Sequence, residues 1–365
     1  MDGQMPTDFR CPISLEIMSD PVILESGHTF DRSSIQRWLS SGHRTCPITM
    51  LPLPENPSLI PNLALRSLIS NYTLLSGTKP NLSSTESQAL FSAFTSASSP
   101  PEVKLNSLAS LVRRTKHDSL LRRQLAESYA VSAVLDCVDS PVLQEKSLSL
   151  ILNLSLDDDN KVGLVADGVI PRLIGVIRSG NTPDSRAIAC TILTSLAVVE
   201  VNKVTIGSYP YAIESLVHLL DSGARREMKE AATTLYAICS FPDNRRRAVE
   251  NGAVAILVRL SSSGMERAIE VLSVLSKCRE GIEEMGKMVG CVRVLGNAVK
   301  NGTERGVHCS LLALNNLCCG CDWFCEDAKR EGLADVCRLL VDDDNEKIRR
   351  NAAKLLETLC GESRR

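Results

Sequence analysis

The sequence has few aromatic residues, no long hydrophobic run and almost no net charge. Phe, Trp and Tyr make up 4% of its 365 residues, so most of the 44% hydrophobic share is aliphatic and suits packed helices. No stretch reaches the roughly 18 uncharged apolar residues of a membrane-spanning helix. With 41 basic against 43 acidic residues, the composition argues against a chain that coats nucleic acid. We therefore expect neither a nucleic-acid partner nor a membrane span.

A signal peptide is also missing, because no basic patch followed by an apolar run opens the chain. The 14 cysteines would suit a disulfide scaffold only in a short, exported protein. We therefore expect reduced thiols and a cytoplasmic location, with the nucleus as an alternative. One cluster, Cys318, Cys319, Cys321 and Cys325, leaves metal or redox chemistry open. Without a histidine nearby, thiols packed between helices are the favoured interpretation.

Composition divides the chain into three parts. Residues 76–101 contain 16 Ser, Thr, Pro, Gly or Asn among 26 positions, which predicts a linker over 76–100 with a short helix at 86–97. A turn-rich segment at 4–75 precedes the linker. Apolar residues at helical spacing follow it over 101–361.

The third part repeats. Asn160-Lys161-Val162 recurs as Asn202-Lys203-Val204, a shift of 42 residues. The apolar ends of successive predicted helices step by 42, 42, 37, 42 and 42 residues, at Leu154, Leu196, Ile238, Leu275, Leu317 and Leu359. A period near 42 is typical of helical armadillo or HEAT units. We predict about six units with irregular caps, one of them five residues short between Gly252 and Gly290.

One unit shows the predicted pattern of three helices. Helix 161–166 ends at Gly168, which permits a left-handed cap. Helix 170–178 has Pro171 in its first turn, and helix 184–198 follows. Fragments such as NLSLDDDNKVGLVADGVIPRLIGVI resemble armadillo repeats. The resemblance implies an all-α superhelix in which neighbouring units bury one another's apolar faces.

The segment before the linker resembles a RING domain in the spacing of its ligand positions, but it lacks most of the zinc ligands. The eight ligand positions fall at Cys11, Ser14, Ser26, His28, Asp31, Ser34, Cys46 and Thr49. Only three of these are Cys or His, the soft types that a structural zinc site needs. We expect hydrogen bonds from Ser14, Ser26, Asp31, Ser34 and Thr49 to bridge the loops without metal or any other cofactor. Asp31 is expected to pair with an arginine such as Arg32 or Arg10.

Five fragments carry a closer resemblance. CPISLEIMSDPV, SGHTFDR, the tryptophan of IQRWL, TCP and LIPNLALRSLI resemble U-box signatures in order and spacing. A U-box is a small α+β, zinc-free RING-like domain. Together with the repeats, the chain resembles the plant U-box–armadillo family of ubiquitin ligases.

That resemblance implies a mechanism with no catalytic residue of the chain itself. A U-box forms no covalent ubiquitin intermediate but docks a conjugating enzyme charged with ubiquitin and presents it to a substrate lysine. The implied docking surface comprises Ile13, Leu15, Trp38 and Pro47. A core role is the alternative for these residues, and we prefer it for Ile35, Leu39 and Ile60. The resemblance also allows a homodimer through the U-box.

One departure from the family pattern bears on activity. The residue three after the second-loop proline is often basic in active U-boxes, but here it is Met50. Methionine cannot donate the hydrogen bonds of a guanidinium. The alternative to a ligase is therefore a non-catalytic armadillo adaptor with a diverged U-box.

In armadillo arrays, third-helix asparagines often hold a peptide backbone. The matching positions here are Asn153, Ser195, Ala237, Val274, Asn316 and Thr358. With two asparagines among six positions, the groove is expected to hold an unknown protein substrate without a full ladder, at most through Asn153 and Asn316. The basic runs 225–226 and 245–247 could form a patch for an acidic partner, although a solvated loop is favoured.

Overall fold

The fold comes from a computed structural model, which describes residues 6–54, 57–62, 64–66, 68–69, 85–96, 98–127 and 130–361. The chain divides into two compact units, residues 1–133 and 134–365. The first unit therefore holds the predicted docking module together with the first helices of the predicted array. Residues 76–84 and residue 97 of the predicted linker lie outside the described residues.

The described residues of the segment 4–75, which we call the module, form a small α+β fold, as predicted. Strands β1 (Pro21–Ile23), β2 (Thr29–Asp31) and β3 (Ile60–Pro61) form an antiparallel sheet in the order β2-β1-β3. Helix α1 (Arg32–Ser40) follows β2 directly, and Asp31 caps its first turn by accepting a hydrogen bond from the backbone of Ser33.

The core of the module lies between the sheet and α1. Ile35 is fully buried and Leu39 packs against the core, as expected. The expectation for Ile60 is wrong, because its side chain is 54% exposed. Ile60 belongs to a two-residue edge strand, and side chains alternate between the two faces of a sheet. The core residues are Phe9, Cys11, Met18, Val22, Leu24, Phe30, Ile35, Cys46 and Ile69.

One helix of the first unit lies inside the predicted linker. The helix predicted at 86–97 is observed as Thr85–Thr95, and the next begins at Pro101, whose missing N–H costs nothing in a first turn. From Thr85 to the helix that spans the division between the units, the structure describes α2 (Thr85–Thr95), α3 (Pro101–Thr115), α4 (Ser119–Glu127) and α5 (Ala130–Val138).

The second unit is an all-α array. After α6 (Gln144–Leu154), five three-helix repeats follow between Asp158 and Cys360. In the described part of the chain, no helix is both long and apolar enough to cross a membrane. The repeat helices are α7 (Asp158–Ala166), α8 (Val169–Ser179), α9 (Pro183–Leu196), α10 (Glu200–Ser208), α11 (Ala212–Ser222), α12 (Arg225–Ile238), α13 (Pro242–Glu250), α14 (Ala253–Ser262), α15 (Glu266–Leu275), α16 (Arg279–Lys287), α17 (Cys291–Asn301), α18 (Glu304–Gly320), α19 (Asp322–Arg330), α20 (Leu333–Leu340) and α21 (Glu346–Cys360).

A left-handed residue separates the first and second helices of every repeat. Gly168 has φ +86°, as its predicted cap role requires, and Gly252, Gly290 and Gly332 adopt the same conformation. In the remaining repeat Tyr211 takes this position at φ +64°, where the other four repeats have glycine. The guanidinium of Arg178 lies 4.8 Å above the Tyr211 ring.

The short unit is short in its third helix. Helix α15 has 10 residues, whereas α9 and α12 have 14 each. Only residues 263–265 connect α14 to α15. The missing five residues are therefore removed where the sequence predicted, and the repeats on either side keep their length.

Buried asparagines explain why the Asn-Lys-Val motif recurs. The side chain of Asn202 donates to Leu196 O at 3.0 Å and to Lys161 O of the preceding repeat at 3.3 Å. Asn244 repeats both bonds at 2.9 Å, to Ile238 O and Lys203 O. Each asparagine thus satisfies a carbonyl at the end of a third helix and joins two repeats.

Candidate functional site

Two loops of the module have the same backbone design. In residues 11–15 the N–H of Leu15 donates to Cys11 O at 2.8 Å, and in residues 46–50 the N–H of Met50 donates to Cys46 O at 2.9 Å. Leu15 and Met50 both adopt left-handed conformations, at φ +59° and +56°. This conformation is unfavourable for a side-chain-bearing residue, so each loop holds its apolar tip in a strained position.

The tips of these loops expose large apolar side chains. Leu15 is 68% exposed and Met50 63% exposed. Ile48 and Leu51 of the second loop and Ile17 beside the first are exposed as well. Of these five residues, only Leu15 belongs to the docking surface predicted from the sequence, whereas Met50 is the predicted departure from active U-boxes.

The other three predicted docking residues are half-buried. Ile13 and Trp38 pack against the module core, and Pro47 is partly covered. The indole N–H of Trp38 donates to Thr45 O at 2.8 Å, and its ring stacks on His43 with centroids 3.9 Å apart. Trp38 therefore fixes the start of the second loop while it keeps part of its ring exposed.

The two thiols that begin the loops accept hydrogen bonds. The hydroxyl of Ser26 donates to Cys46 Sγ at 3.1 Å. Burial alone would raise the pKa of the Cys46 thiol, but hydrogen bonds from Ser26 and Thr49 outweigh it and lower the pKa to about 7. The N–H of Asp31 donates to Cys11 Sγ at 3.3 Å. The pKa of Cys11 is also lowered, because hydrogen bonds from Ser14 and Asp31 outweigh the effect of burial.

Asp31 is the centre of the hydrogen bonding that crosses the module. Its Oδ2 accepts from Ser19 N at 2.8 Å, Ser19 Oγ at 3.0 Å and Asp20 N at 3.1 Å. Its Oδ1 accepts from Ser33 Oγ at 2.7 Å and Ser33 N at 3.1 Å. Burial would raise the pKa of Asp31, but these bonds to the charged form lower it.

The arginines expected to pair with Asp31 lie elsewhere. Arg32 Nε donates to Asp20 at 2.7 Å, and Arg10 donates to Leu15 O at 3.0 Å, where it supports the first loop. Asp20 also lies 3.4 Å from Arg123 of α4. Asp20 therefore joins the module to helix α4, and no residue pattern in the sequence pointed to it.

The remaining metal-replacing positions differ in role. Ser14 and Thr49 each accept one long local hydrogen bond of 3.4 Å, from Glu16 N and Leu51 N. Ser34 is buried in α1, and no hydrogen bond of its hydroxyl is found among the described residues. In that same part of the chain, no three His, Cys, Asp or Glu side chains are grouped so that they could hold a metal ion.

In the array, the groove positions bond to neighbouring repeats. Asn316 donates to Ser276 Oγ at 2.9 Å, and Ser195 donates to Ser155 O at 2.8 Å. Asn153 is half-buried at the end of α6. The side-chain amide of Asn316 thus already donates one hydrogen bond within the protein. This leaves it fewer donors for binding a peptide backbone.

The basic runs are helical, so their interpretation as solvated loops is wrong. Arg225 and Arg226 begin α12, and residues 245–247 lie inside α13. Arg245 donates to Cys239 O at 2.8 Å and to Ser240 O at 2.7 Å, which leaves it little capacity for a partner.

The cysteine cluster agrees only in part with the packing interpretation, because Cys319 is exposed and Cys321 and Cys325 are half-buried. Cys318 is buried at the end of α18, and the Sγ of Cys325 lies 3.5 Å from Cys318 O. Burial raises the pKa of Cys318, so this thiol stays protonated near neutral pH.

Comparisons with known proteins agree with both regions. Residues 5–75 match the U-box domain, and residues 90–364 match the plant U-box protein ARM repeat region. U-box domain-containing protein 8 of Arabidopsis thaliana is 60% identical over 370 residues, covering 99% of both chains. U-box domain-containing protein 16 of the same plant is 28% identical, and the chain spans 55% of its length. An engineered protein of known crystal structure shares the fold at 19% identity, with a TM-score of 0.58 over 82% of this chain and 81% of its own. The chain belongs to the family of plant U-box proteins with an armadillo-repeat region.

Proposed function

We propose that the protein is a ubiquitin ligase of the U-box type whose two equivalent loops dock a conjugating enzyme charged with ubiquitin. The observation that carries this proposal is the pair of loops themselves. Each presents an exposed apolar side chain from a left-handed residue, Leu15 in one and Met50 in the other. A small apolar surface beside a supported tryptophan concentrates binding energy in a few contacts.

The chemistry of the module favours transfer by proximity. Its two cysteines, Cys11 and Cys46, are at most 1% exposed and serve as hydrogen-bond acceptors in the loops. Neither thiol can reach the ubiquitin thioester of a docked enzyme in this fold. The partner therefore supplies the reactive cysteine, and this chain orients the thioester toward a lysine of the substrate. We assign the holding of that protein substrate to the array.

The test measures how fast a charged conjugating enzyme loses its ubiquitin to free lysine. Leu15→Ala combined with Ile48→Ala is expected to slow this discharge at least tenfold, because both side chains are exposed and removing them leaves the core intact. Ile60→Ala is the matched control, since Ile60 is similarly exposed on β3 and is expected to leave the rate unchanged. Equal rates in the double variant and the wild type would refute the docking surface.

Trp38 and Ile13 are poorer first choices for this test. Trp38→Ala removes the hydrogen bond to Thr45 O and packing against the core, so a loss of activity could follow from unfolding. Trp38→Ala and Ile13→Ala are expected to abolish activity, but each needs a measured unfolding curve beside its rate.

Met50→Arg tests the departure from the family pattern. Met50 is already left-handed and exposed, so the substitution adds no new backbone strain. A guanidinium at the tip of the second loop supplies hydrogen bonds that methionine lacks. We expect faster discharge by severalfold, with Met50→Leu as the control that changes shape but not charge.

The alternative is a non-catalytic adaptor, and the apolar Met50 is the observation in its favour. An adaptor would bind the conjugating enzyme without accelerating discharge, and Met50→Arg would restore the acceleration. A chain that neither binds nor discharges any of a broad panel of conjugating enzymes would exclude both functions for the module.

A further inference from the structure

Most cationic side chains of the second unit are already bound within the protein. Arg186, for example, pairs with Glu227 at 2.5 Å, and Arg293 pairs with Glu331 at 2.9 Å. Across residues 134–361, the structure shows no ion pair, hydrogen bond or ring contact for the side chains of a small set of lysines and arginines. These are Lys146, Arg225, Lys229, Lys277, Lys347, Arg350 and Lys354.

Three of the unbound cations lie on one face of the last helix. In α21, Ile348, Ala352, Leu355 and Leu359 are buried against the array. Lys347, Arg350 and Lys354 follow at spacings of three and four residues on another side of the helix, and all three are exposed. From Lys347 to Lys354 the helix rises by seven steps, which is about 10 Å.

His308 of α18 lies near three cations, two on this face of α21 and one, Lys277, after α15. Burial lowers the pKa of His308, and the nearby charges of Lys347, Arg350 and Lys277 lower it further. Helices α18 and α21 are joined here, because the side chain of Asn315 donates to Asn351 O at 3.0 Å. We call Lys277, His308, Lys347, Arg350 and Lys354 the C-terminal cationic face.

Acidic residues of α15 and α18 already bond to other side chains. Glu270 binds both Arg267 and Arg305 at 2.5 Å. Glu304 of α18 bonds to the side chain of Asn345, and Glu266 of α15 bonds to Thr303. On α21 itself, Glu346 lies four residues before Arg350 and Glu357 three residues after Lys354. Among the described residues, however, no carboxylate forms an ion pair with Lys347, Arg350 or Lys354.

We propose that the C-terminal cationic face binds an acidic segment of a protein partner, a stretch rich in Asp and Glu that lies extended across α18 and α21. Cations spread over about 10 Å suit several carboxylates along a chain better than one phosphate. Lysines also outnumber arginines on this face, whereas bidentate phosphate recognition relies on the guanidinium fork. The proposal deepens the substrate role assigned to the array, but the binding itself requires no ligase activity.

The test uses fluorescence anisotropy with the full chain and a labelled 12-residue peptide of alternating Glu and Gly. Lys347→Glu, Arg350→Glu and Lys354→Glu together are expected to weaken binding more than tenfold. The matched control reverses Lys146, Arg225 and Lys229 to Glu, which changes the net charge equally at the other unbound cations. The control is expected to retain an affinity within twofold of the wild type.

Two further measurements separate the possible explanations. Titration of His308 by NMR should give a higher pKa with the Glu peptide bound, because its carboxylates offset the neighbouring cations. Equal weakening in the two triple variants, or equal affinity for a Gly-Ser peptide with one phosphoserine or for a single-stranded RNA, would overturn the proposal. Helical circular dichroism confirms that each variant is folded.

The ligase assay keeps this proposal distinct from the proposed function. The charge-reversed face lies in the array, so discharge of ubiquitin to free lysine should stay at the wild-type rate in that variant. A wild-type chain that binds the Glu peptide but discharges no conjugating enzyme contradicts the ligase and supports the face. A chain that discharges ubiquitin but ignores the peptide does the reverse.

Discussion

The module and the array maintain their structure in opposite ways. In the module, one carboxylate, Asp31, accepts five hydrogen bonds that connect the segment before β1 with helix α1. No other side chain in the described part of the module repeats this arrangement. In the array, Asn202 and Asn244 perform the same task in successive repeats, each bonding to carbonyls of its own and the preceding repeat. Stability in the module is thus concentrated at single residues, whereas in the array it is shared among equivalent ones.

The difference predicts unequal responses to a single substitution. A module of about 70 residues has a small core and little spare stability. The array buries one continuous core along five repeats, so a local defect leaves most of its contacts in place. Substitutions at the connecting residues can therefore distinguish the two kinds of structure.

The largest effect is expected for Asp31→Ala. This change removes five hydrogen bonds to a buried charge and the cap of α1, and it should cost about 4 kcal/mol of unfolding free energy. We expect the module to unfold at 25 °C while the array keeps its helical circular dichroism. Trp38 fluorescence in a Trp323→Phe background reports the module alone, because the chain has two tryptophans.

Asp8→Ala is the control, since Asp8 is an exposed carboxylate of the same module. It should leave Trp38 fluorescence unchanged.

The stability of the wild-type module should also decrease in acid. Because the folded pKa of Asp31 is lowered, its stabilisation is present above the unfolded pKa of about 4 and is lost as pH falls through the folded value. A module that stays folded after Asp31→Ala would remove the contrast between the two regions.

An intermediate effect is expected in the array. Asn244→Ala leaves Ile238 O and Lys203 O without their buried partner and should cost about 2 kcal/mol. Asn160→Ala should cost about 1 kcal/mol, because the Asn160 side chain is seen to bond only to Leu154 O among the described residues. Urea unfolding followed by circular dichroism measures both values.

The exposed Asn251 supplies the matched control for these two substitutions. Its side chain donates to Arg247 O at 2.8 Å at the end of α13, where water can replace it. Asn251→Ala should therefore change stability by less than about 0.5 kcal/mol. If all three substitutions gave the same small loss of stability, the hydrogen bonds of the buried asparagines would not be what joins the repeats.

Much of the array could be predicted from the sequence because its contacts repeat. The recurrence of the motif at Asn160 and Asn202 indicates the period of the repeats. Gly168 indicates a left-handed turn, because glycine adopts this backbone conformation without a steric cost. The short unit was also visible as a change of spacing. The hydrogen bonds of the asparagines could not be predicted from the sequence. A recurring motif shows that a residue repeats but not which carbonyl it contacts.

The module was harder to predict in detail. Residue types indicated that Asp31 replaces a metal ligand, but its donors are mostly backbone N–H groups and serine hydroxyls rather than the expected arginines. Asp20 contacts Arg123, which lies 103 positions further along the chain, and no local pattern records such a pair. The exposure of Ile48 and Met50 depends on a left-handed turn at a residue that is not glycine. Such details arise from tertiary contacts that the sequence does not repeat.

A small effect is also expected for Ser26→Ala in the module. Ser26 donates to Cys46 Sγ, and losing this bond should cost about 1 kcal/mol and raise the pKa of Cys46 from about 7. The folded pKa of Cys46 is below the unfolded value of about 8.5. The stabilisation from the Cys46 thiolate is therefore fully present above pH 8.5, and it is lost as the pH falls through about 7. Ser26→Ala should flatten that slope, whereas Ser41→Ala, which removes an exposed hydroxyl from the end of α1, should keep it. Urea unfolding of the module at several pH values, followed by Trp38 fluorescence, measures the slope. An unchanged slope in Ser26→Ala would mean that the loop thiol does not rely on this single bond, and the module would then share its stabilising contacts more as the array does.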